Sequence, residues 1–421
     1  IIKKGGVKVA VLGYTNAANA SLMDASCVSG LRFDSLLPLV QEDVDKVRSK
    51  EKPQVVIVVA HTSMGKGDGQ NLERQGLDLF NSLKGVDVLV TGHDHSTKVL
   101  KTDSTVLLDC GRAGQYACLA DIKLVVRGGK VISRSLSGEV ESFGSENYDT
   151  AMEEAFKSDY EKVRDFNASH VGEVKKDLVS REFYYRQCDY MNFLHALAFS
   201  AWPVDISLSA TLLIDGMVPA GEVRYQDIRK IYPYDNKLVV LRLTGAEILR
   251  YLEASYDAWI STVPGPAEGS HVLRITQTKD YATGGMKWKL AKSPANFDSA
   301  AGIRYTVDVT KPYGSRVTVS GMADGSPFEM DKDYSVAITS YRSTGSGGLM
   351  KAAGLMDARS VEDRIIYRGP EFRTILYRYL KKHGSIDPAV VGDPNVVGSW
   401  RFVPDFAPEA IKADVQLIYG K

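Results

Sequence analysis

Apolar residues in the first third of the chain occur in short continuous runs. Three such runs, residues 7–12, 55–60 and 86–90, are rich in β-branched side chains, which is typical of strands buried on both faces of a parallel sheet. Between the second and third runs, apolar residues recur near helical spacing from Leu72 to Leu83, and Gly85 follows as a stop signal. This pattern predicts a layered α/β arrangement.

A charged segment over residues 146–170 divides the chain. Its apolar residues step by three and four and therefore form one stripe on a helix; they are Met152, Phe156, Tyr160, Val163 and Phe166. We predict a linking helix here, between a first domain over 1–145 and a second over 171–421. The second domain has an α+β pattern, in which Thr244 and Glu247 have the spacing of a capping box at a helix start.

Length and composition exclude several classes of protein. The chain has 421 residues, with 52 Lys and Arg against 52 Asp and Glu, so it can form two to three domains and carries no net charge. A binder of nucleic acid duplexes or a polybasic membrane-surface protein needs an excess of cations. The sequence also contains no apolar run near the roughly 20 residues that a membrane-spanning helix requires. The partner must be inferred from individual sites, and the oligomeric state stays open.

The cysteines suggest no zinc ribbon and no disulfide framework. The four cysteines are scattered and form no Cys-x-x-Cys pair; they are Cys27, Cys110, Cys118 and Cys188. We expect them to be free or buried thiols.

Histidines follow two of the predicted strands at the point where each strand ends. His61 comes directly after the second apolar run, and His93 and His95 come shortly after the third. The carboxyl ends of parallel strands meet at the edge of the sheet where α/β folds bind ligands. If strand alternation continues through this segment, His93 and His95 point to the same side and Asp94 points away. We therefore predict a shared metal site, although separate hydrogen-bonded loop histidines are the alternative.

The order of the motifs resembles the 5′-nucleotidase family. His61 and residues 92–95 are similar to the last two metal-ligand motifs of calcineurin-like metallophosphoesterases. Residues 231–236 and 340–348 resemble the two base-binding segments of the family's C-terminal domain, and residues 399–402 resemble its bacterial 2′,3′-cyclic-nucleotide 2′-phosphodiesterase/3′-nucleotidase branch. The resemblance implies the C-terminal half of a four-layer αββα metallophosphoesterase sandwich, a linking helix and an α+β 5′-nucleotidase C-terminal domain.

The same resemblance implies two divalent metal ions, Zn, Mn or similar, in the intact protein. His61 and His93 would bind one ion, and His95 would bind the other. The family's other metal motifs, an Asp-x-His, a bridging Asp and an Asn-His pair, have no match before His61. We therefore expect this chain by itself to have an incomplete site, and the catalytic residues stay unknown.

The base of a nucleotide would be bound by the second domain. The resemblance implies that Tyr234 and Tyr341 hold the base between their rings, with Asn236 and Arg342 as nearby polar contacts. Two aromatic rings suit this task because every base has two faces, and stacking contributes roughly 1–3 kcal/mol per base. A tyrosine packed in the core is the alternative for Tyr234.

Two segments depart from the pattern of strict 5′-nucleotidases. The ribose- and phosphate-binding segment of that family corresponds here to residues 210–215, Ala-Thr-Leu-Leu-Ile-Asp, and its Gly-Gly-Asp corresponds to residues 345–347, Gly-Ser-Gly. Both departures favour the cyclic-phosphodiesterase branch. Arg181 and Arg186 are further candidates for contacts with phosphate.

Taken together, these features predict a metal-dependent phosphohydrolase that acts on nucleotides, either a 2′,3′-cyclic-nucleotide phosphodiesterase/3′-nucleotidase or a 5′-nucleotidase. Two alternatives stay open: a protein that binds nucleotides without cleaving them, and a hydrolase of a non-nucleotide phosphoester. The resemblance implies a periplasmic, cell-surface or secreted location.

Overall fold

The computed structural model describes residues 1–23, 25–144, 149–267, 269–279, 285–356 and 361–420. The chain divides into two units, Ile1–Glu154 and Ala155–Lys421. No helix in the described ranges combines the length and the apolar composition needed to span a membrane.

The first unit alternates strands with helices or loops. Its strands are β1 (Ile2–Lys4), β2 (Val7–Tyr14), β3 (Val55–Ala60), β4 (Val88–Thr91), β5 (Thr97–Lys101), β6 (Val106–Cys110), β7 (Tyr116–Arg127) and β8 (Lys130–Ser142). Its helices are α1 (Asn19–Leu22), α2 (Ala25–Val28), α3 (Leu36–Lys50) and α4 (Gly76–Ser82). The predicted strands and the helix before β4 are confirmed.

These strands form a mostly parallel sheet with the order β1-β2-β3-β4-β6-β5. β2, β3, β4 and β6 are parallel neighbours, and β1 and β5 are antiparallel edges. One face packs against apolar side chains of α3 and α4, including Val40, Val44 and Leu79. On the other face, Leu108 of β6 packs near Ile122 of the β7–β8 hairpin. The carboxyl ends of β3 and β4 are therefore adjacent.

A disulfide bond joins Cys110, at the end of β6, to Cys118 of β7. The expectation of free or buried thiols is wrong for these two residues. The reason is tertiary: the loop after β6 returns the chain beside the strand end, where the Cα atoms of the two cysteines are 5.5 Å apart. Cys27 and Cys188 are free.

Helix α5 (Thr150–Asn167) forms within the segment predicted as the linking helix. Residues 146–148, where that prediction begins, lie outside the described residues. None of the described residues of α5 is buried, and its apolar stripe is exposed. Phe166, near its end, packs on the ring of Tyr225, with ring centroids 4.3 Å apart.

The second unit mixes short sheets with helices. Its strands are β9 (His170–Val174), β10 (Leu178–Val179), β11 (Ile206–Ala210), β12 (Met217–Val218), β13 (Gly221–Arg224), β14 (Lys237–Thr244), β15 (Ile275–Lys279), β16 (Met286–Leu290), β17 (Asp298–Ala301), β18 (Ile303–Asp308), β19 (Val317–Met322), β20 (Asp333–Thr339), β21 (Ile365–Glu371), β22 (Ser385–Ile386) and β23 (Gly398–Val403). Its helices are α6 (Asp189–Ala201), α7 (Ile228–Ile231), α8 (Gly245–Trp259), α9 (Ser340–Ser343), α10 (Leu349–Ala352), α11 (Phe372–His383), α12 (Pro388–Val391) and α13 (Phe406–Tyr419).

The central sheet of this unit has the order β17-β11-β20-β14-β21. β14 continues directly into α8, and the predicted capping box is present: Thr244 accepts a hydrogen bond from the Glu247 N–H at 3.3 Å, and the Glu247 carboxylate accepts from the Thr244 N–H at 2.9 Å. The core around this sheet is rich in aromatic residues, with Trp259 of α8 stacked on Tyr256 and Phe297. This sheet carries the segments that the sequence predicted to bind a base.

Candidate functional site

Two loops in the first unit bring histidines together. His61 follows the last residue of β3, His93 lies two residues after β4, and His61 Nε2 is 3.3 Å from His93 Nδ1. The other ring nitrogen of His93 is 3.0 Å from a carboxylate oxygen of Glu73. Glu73 lies in the loop before α4, and no sequence motif had singled it out. A carboxylate that orients an imidazole in this way is a common feature of metal-binding histidines.

His95 does not follow the strand geometry that was expected. β4 ends at Thr91, and both His93 and His95 have left-handed backbone conformations, with φ of 81° and 55°. Strand alternation therefore does not apply to this segment, and the inference that His93 and His95 share a side for that reason is wrong. Within the described ranges of the chain, no group of three or more His, Cys, Asp or Glu side chains is arranged to hold a metal ion.

Asp94 connects the two histidine loops. Its Oδ2 accepts a hydrogen bond from the Met64 N–H at 2.8 Å. Burial raises the pKa of Asp94, but hydrogen bonds from the Ser63 side chain and the Met64 N–H outweigh burial, and the pKa falls below its usual value. The charged carboxylate thus holds the loop after β3 to the loop after β4.

The histidine pair fits part of a metal centre. Nitrogen ligands about 2.0–2.1 Å from a tetrahedral metal lie roughly 3.3 Å from each other, and the two facing nitrogens of His61 and His93 are 3.3 Å apart. Two imidazoles and one orienting carboxylate do not complete the two-metal set that the family resemblance implies.

A cavity of about 220 Å³ lies in the second unit between the two predicted base-binding segments. We call it the tyrosine cavity; its lining residues are Leu208, Ser209, Ala210, Leu212, Tyr234, Asn236, Ala295, Asp298, Thr339, Tyr341 and Arg342. All four residues that the sequence predicted for base binding line it. The two tyrosines are exposed, with 47% and 44% of their surfaces accessible, so neither is a core tyrosine.

Strand pairing explains why these distant residues meet. β14 and β20 are antiparallel, and Leu238 pairs with Thr339. Tyr234 lies just before β14 and Tyr341 just after β20, so both lie at the same edge of the sheet. The hydroxyl of Ser340 accepts a hydrogen bond from the Lys237 N–H at 2.9 Å, which joins the two segments directly.

Arg342 supports the cavity from beneath. It is buried and forms two hydrogen bonds with the Asp298 carboxylate, at 3.1 Å from Nε and 2.6 Å from Nη2. Its remaining hydrogen bonds go to the Asn296 side chain and to the carbonyls of Ala295 and Ser346. Since a guanidinium has five N–H groups, all of them are used within the protein. Arg342 therefore positions the cavity wall in this structure.

The same network includes a buried tyrosine. The Tyr251 hydroxyl donates to Asp298 Oδ2 at 2.5 Å. Burial raises the pKa of Tyr251 well above its usual value, and the Asp298 charge raises it further. Burial lowers the pKa of Arg342, but the attraction of Asp298 outweighs burial and the net shift is upward. The ion pair is thus kept charged and fully hydrogen-bonded, as a buried pair requires.

The two other arginine candidates are already paired. Arg181 donates to both carboxylate oxygens of Asp215, at 2.5 and 2.8 Å, and Arg186 pairs with Glu182. Neither lines the tyrosine cavity. In this structure their charges are balanced by carboxylates of their own unit.

The fold and the cavity together define a class of protein: an α/β unit followed by an α+β unit that contains a cavity lined by two exposed tyrosines. Residues 170–354 match the family described as 5′-nucleotidase, C-terminal domain. The tyrosine cavity lies wholly within the matched range.

Curated relatives and a solved structure agree with that family. The chain is 21% identical to the trifunctional nucleotide phosphoesterase protein YfkN of Bacillus subtilis, over 91% of this chain and 28% of the relative. It is 21% identical to the 2′,3′-cyclic-nucleotide 2′-phosphodiesterase/3′-nucleotidase of Salmonella typhimurium, over 98% of this chain and 68% of the relative. The structure of a Staphylococcus aureus protein assigned as a 5′-nucleotidase superposes with a TM-score of 0.63 at 18% identity, over 95% of this chain and 74% of that one.

The comparisons with the solved structure and with the curated relatives cover different fractions of the other protein. The solved structure shares the fold with this chain, which confirms the predicted fold class. The chain spans little more than a quarter of the Bacillus relative, 28% of its length.

Proposed function

We propose that this chain belongs to a metal-dependent phosphohydrolase of nucleotides, with a 2′,3′-cyclic nucleotide or a nucleoside monophosphate as substrate. The observation that carries the proposal is the tyrosine cavity, in which two exposed rings from separate segments line one space at the edge of the central sheet. The names of the relatives, which include nucleotide phosphoesterase and 2′,3′-cyclic-nucleotide 2′-phosphodiesterase, support a phosphoester of a nucleotide.

In this proposal the second unit binds the base. Tyr234 and Tyr341 stack on its two faces, and the Asn236 side chain at the cavity wall forms polar contacts with its edge. Arg342 and Asp298 hold the wall in place. Stacking tolerates any base, so the cavity suits a nucleotidase of broad range.

In the first unit, His61 and His93 would hold one divalent ion, with Glu73 orienting His93; His95 is proposed as a ligand of a second ion. When bound, such a pair of ions supplies a nucleophilic hydroxide and neutralises phosphate oxygens. The chain's own contribution is to fix the orientation of the two imidazoles through Glu73 and through the Asp94 link between their loops.

A location outside the cytoplasm is part of the proposal. The Cys110–Cys118 disulfide supports it, because structural disulfides persist in oxidising compartments such as the periplasm and the cell exterior.

The proposal is tested by measuring ligand binding with calorimetry. We expect the chain to bind adenosine and AMP more tightly than glycerol 3-phosphate, because only the first two carry a base. Tyr341→Ala removes one stacking surface and is expected to weaken adenosine binding by roughly 1–3 kcal/mol. Tyr160→Ala is the control, since Tyr160 is also exposed but lies on α5, outside the cavity.

Two outcomes would favour the alternatives. Binding of glycerol 3-phosphate as tight as that of AMP, with no effect of Tyr341→Ala, would indicate a non-nucleotide phosphoester as substrate. A second candidate, nucleotide binding without hydrolysis, is favoured by the absence of a group of three metal ligands in the part of the chain that the structure describes. Base-selective binding combined with no hydrolysis by the whole protein would establish it.

A further inference from the structure

A second cavity of the C-terminal unit has a different character from the tyrosine cavity. Its volume is about 250 Å³, and it lies between the end of α6, strand β21 and helix α11. We call it the basic cavity; its lining includes Ser200, Tyr367, Ile375, Arg378, Lys382 and His383. It shares no lining residue with the tyrosine cavity.

The ionisable side chains that give the basic cavity its charge are all basic. Arg378, Lys382 and His383 line it, and no acidic residue does. In the described part of the chain, the side chains of these three residues form no hydrogen bond and no ion pair; the His383 ring only packs against the Tyr379 ring, with centroids 4.5 Å apart. By contrast, the neighbouring Lys381 donates to the His170 carbonyl at 3.0 Å. The cavity is therefore lined by basic side chains that form no hydrogen bond or ion pair within the described part of the chain.

Helix geometry places the donors together. Arg378 and Lys382 are four residues apart on α11 and share one face of the helix. Long side chains on a helix lean toward its N-terminus, so the Lys382 ammonium is carried toward the turn that contains Arg378. Two permanent cations and an imidazole thus border one concave surface, where a locally positive potential attracts anions.

Stabilisation of the helix end does not account for this arrangement. Basic residues in the last turn of a helix interact favourably with its negative end, an effect confined to that turn. Lys382 and His383 lie in the last turn of α11, but Arg378 lies more than one turn before the end. The Gly384 carbonyl just beyond the helix already accepts a hydrogen bond from the Glu173 N–H at 3.0 Å.

The walls of the basic cavity offer no pair of exposed rings for stacking on a base. Ile375 and the buried Tyr379 form apolar lining, and the ring of Tyr367 is held by a stacked Trp202, with ring centroids 3.8 Å apart. Tyr367 is half-buried and Tyr379 is buried, whereas the two rings of the tyrosine cavity are exposed. The basic cavity therefore suits a small anion better than a base.

We propose that the basic cavity is a second anion site, which binds inorganic phosphate or a small phosphate monoester. A phosphate group carries about −1.5 to −2 charges at neutral pH, which matches the Arg378 and Lys382 pair better than a carboxylate does. The guanidinium of Arg378 offers parallel N–H donors that fit two phosphate oxygens, and Ser200 and Tyr367 supply neutral polar groups at the wall. This site is independent of base binding in the tyrosine cavity.

The test is a calorimetric titration of the full chain with inorganic phosphate at low salt. EDTA is present, so that metal ions bound to histidines do not contribute to phosphate binding. Acetate at equal ionic strength is the reference anion. We expect phosphate to bind more tightly than acetate, and Arg378→Gln/Lys382→Gln to weaken phosphate binding at least about tenfold, because charge-assisted hydrogen bonds are lost.

The matched control is Lys381→Gln/Lys412→Gln, which removes the same number of positive charges, one of them from the last turn of the same helix, but touches no lining residue of the cavity. We expect its phosphate affinity to stay within about twofold of the wild type, since only a general charge effect remains. Circular dichroism of both variants is the check that they are folded. No phosphate-selective binding by the wild type, or equal losses in the two double variants, would overturn the proposal.

Discussion

At the scale of single residues, buried polar groups in the second unit are placed by specific partners. The Asp298–Arg342 pair lies under the tyrosine cavity and is joined by Tyr251. On the other side of the central sheet, His195 of α6 lies between the hydroxyls of Ser207 and Ser299, at 2.9 and 3.4 Å. These contacts make two positions especially informative.

His195 is expected to make stability depend on pH. Burial lowers the pKa of His195 from 6.5 to about 3. Because the folded-state pKa lies below the unfolded one, its contribution is present above pH 6.5 and is lost as the pH falls from 6.5 toward 3, by up to about 1.4 kcal/mol per pH unit. Urea unfolding at pH 7.5 and 5 measures this loss.

The comparison for that measurement is His195→Asn, which has no titrating group. We expect the wild type to lose more unfolding free energy than the variant between the two pH values. Equal losses in the two proteins would show that His195 is not held neutral in the fold.

Gly347 is expected to tolerate no side chain. Its φ is +75°, and an added Cβ would overlap with Asn296 Oδ1 and Arg342 Nη1. Gly347→Ala should therefore disturb the wall of the tyrosine cavity, lower the unfolding free energy by about 1–3 kcal/mol through overpacking, and weaken adenosine binding.

Gly348→Ala separates crowding from backbone strain. Gly348 has a similar φ of +77°, but nothing lies within 4 Å of its added Cβ. We expect this variant to carry only the cost of a left-handed alanine and to keep its affinity for adenosine. Urea unfolding measures the stability of both variants, and calorimetry measures their affinity for adenosine. An equal loss of affinity in the two variants would argue against close packing of the cavity wall at Gly347.

At the scale of secondary-structure elements, connections between neighbouring strands create the features of interest. Antiparallel pairing of β14 with β20 brings Tyr234 and Tyr341 to one edge. Parallel β3 and β4 bring His61 near His93. The disulfide ties the start of β7 to the end of β6, next to the loop that contains His95.

The disulfide is expected to stabilise the first unit. Cys110→Ser removes a crosslink that closes a short loop with a sequence separation of 8, and loss of such a crosslink costs on the order of 2–3 kcal/mol. Urea unfolding, followed by hydrogen exchange of the strands β4 to β6, should show this loss. Cys27→Ser, at an exposed free cysteine, should leave stability unchanged; a loss in that control as large as in Cys110→Ser would contradict the assignment.

At the scale of the whole molecule, the two units have separate cores. The apolar core of Ala155–Lys421 contains none of the buried residues of Ile1–Glu154. The zero net charge of the whole chain is compatible with phosphate chemistry, because recognition depends on local groups such as the basic cavity and not on a basic surface.

The chain by itself is expected not to hydrolyse 2′,3′-cyclic AMP at a rate ordinary for an enzyme, even with Mn²⁺ or Zn²⁺. The reason is the donor set: two facing imidazoles and an orienting carboxylate in the described ranges do not hold two metal ions in place. Release of adenosine phosphates measured by chromatography is the assay. Turnover well above that of His61→Ala would contradict this expectation.

Much of the architecture was predictable from local patterns. Continuous β-branched runs predicted β2, β3 and β4, because buried parallel strands need apolar residues on both faces. The Thr244 capping box marked the start of α8, because helix ends leave backbone N–H groups that need a local acceptor. The family resemblance also led to four of the eleven residues that line the tyrosine cavity.

Other features depended on distant parts of the chain. Glu73 reaches His93 across 20 positions, and Asp298 reaches Arg342 across 44; nothing in the local pattern marks either acid. The pairing of Cys110 with Cys118 required knowing that the chain turns back after β6.

The sequence by itself therefore determined many of the elements, because periodicity and capping are local properties. Through its family resemblance it also indicated the fold class and four residues of the tyrosine cavity. The tertiary structure alone decided which histidines meet, which carboxylates pair with the candidate arginines and which basic side chains border an open cavity. These outcomes depend on loop conformation and on contacts between residues far apart in sequence, and such contacts are formed only when the sheets and helices pack.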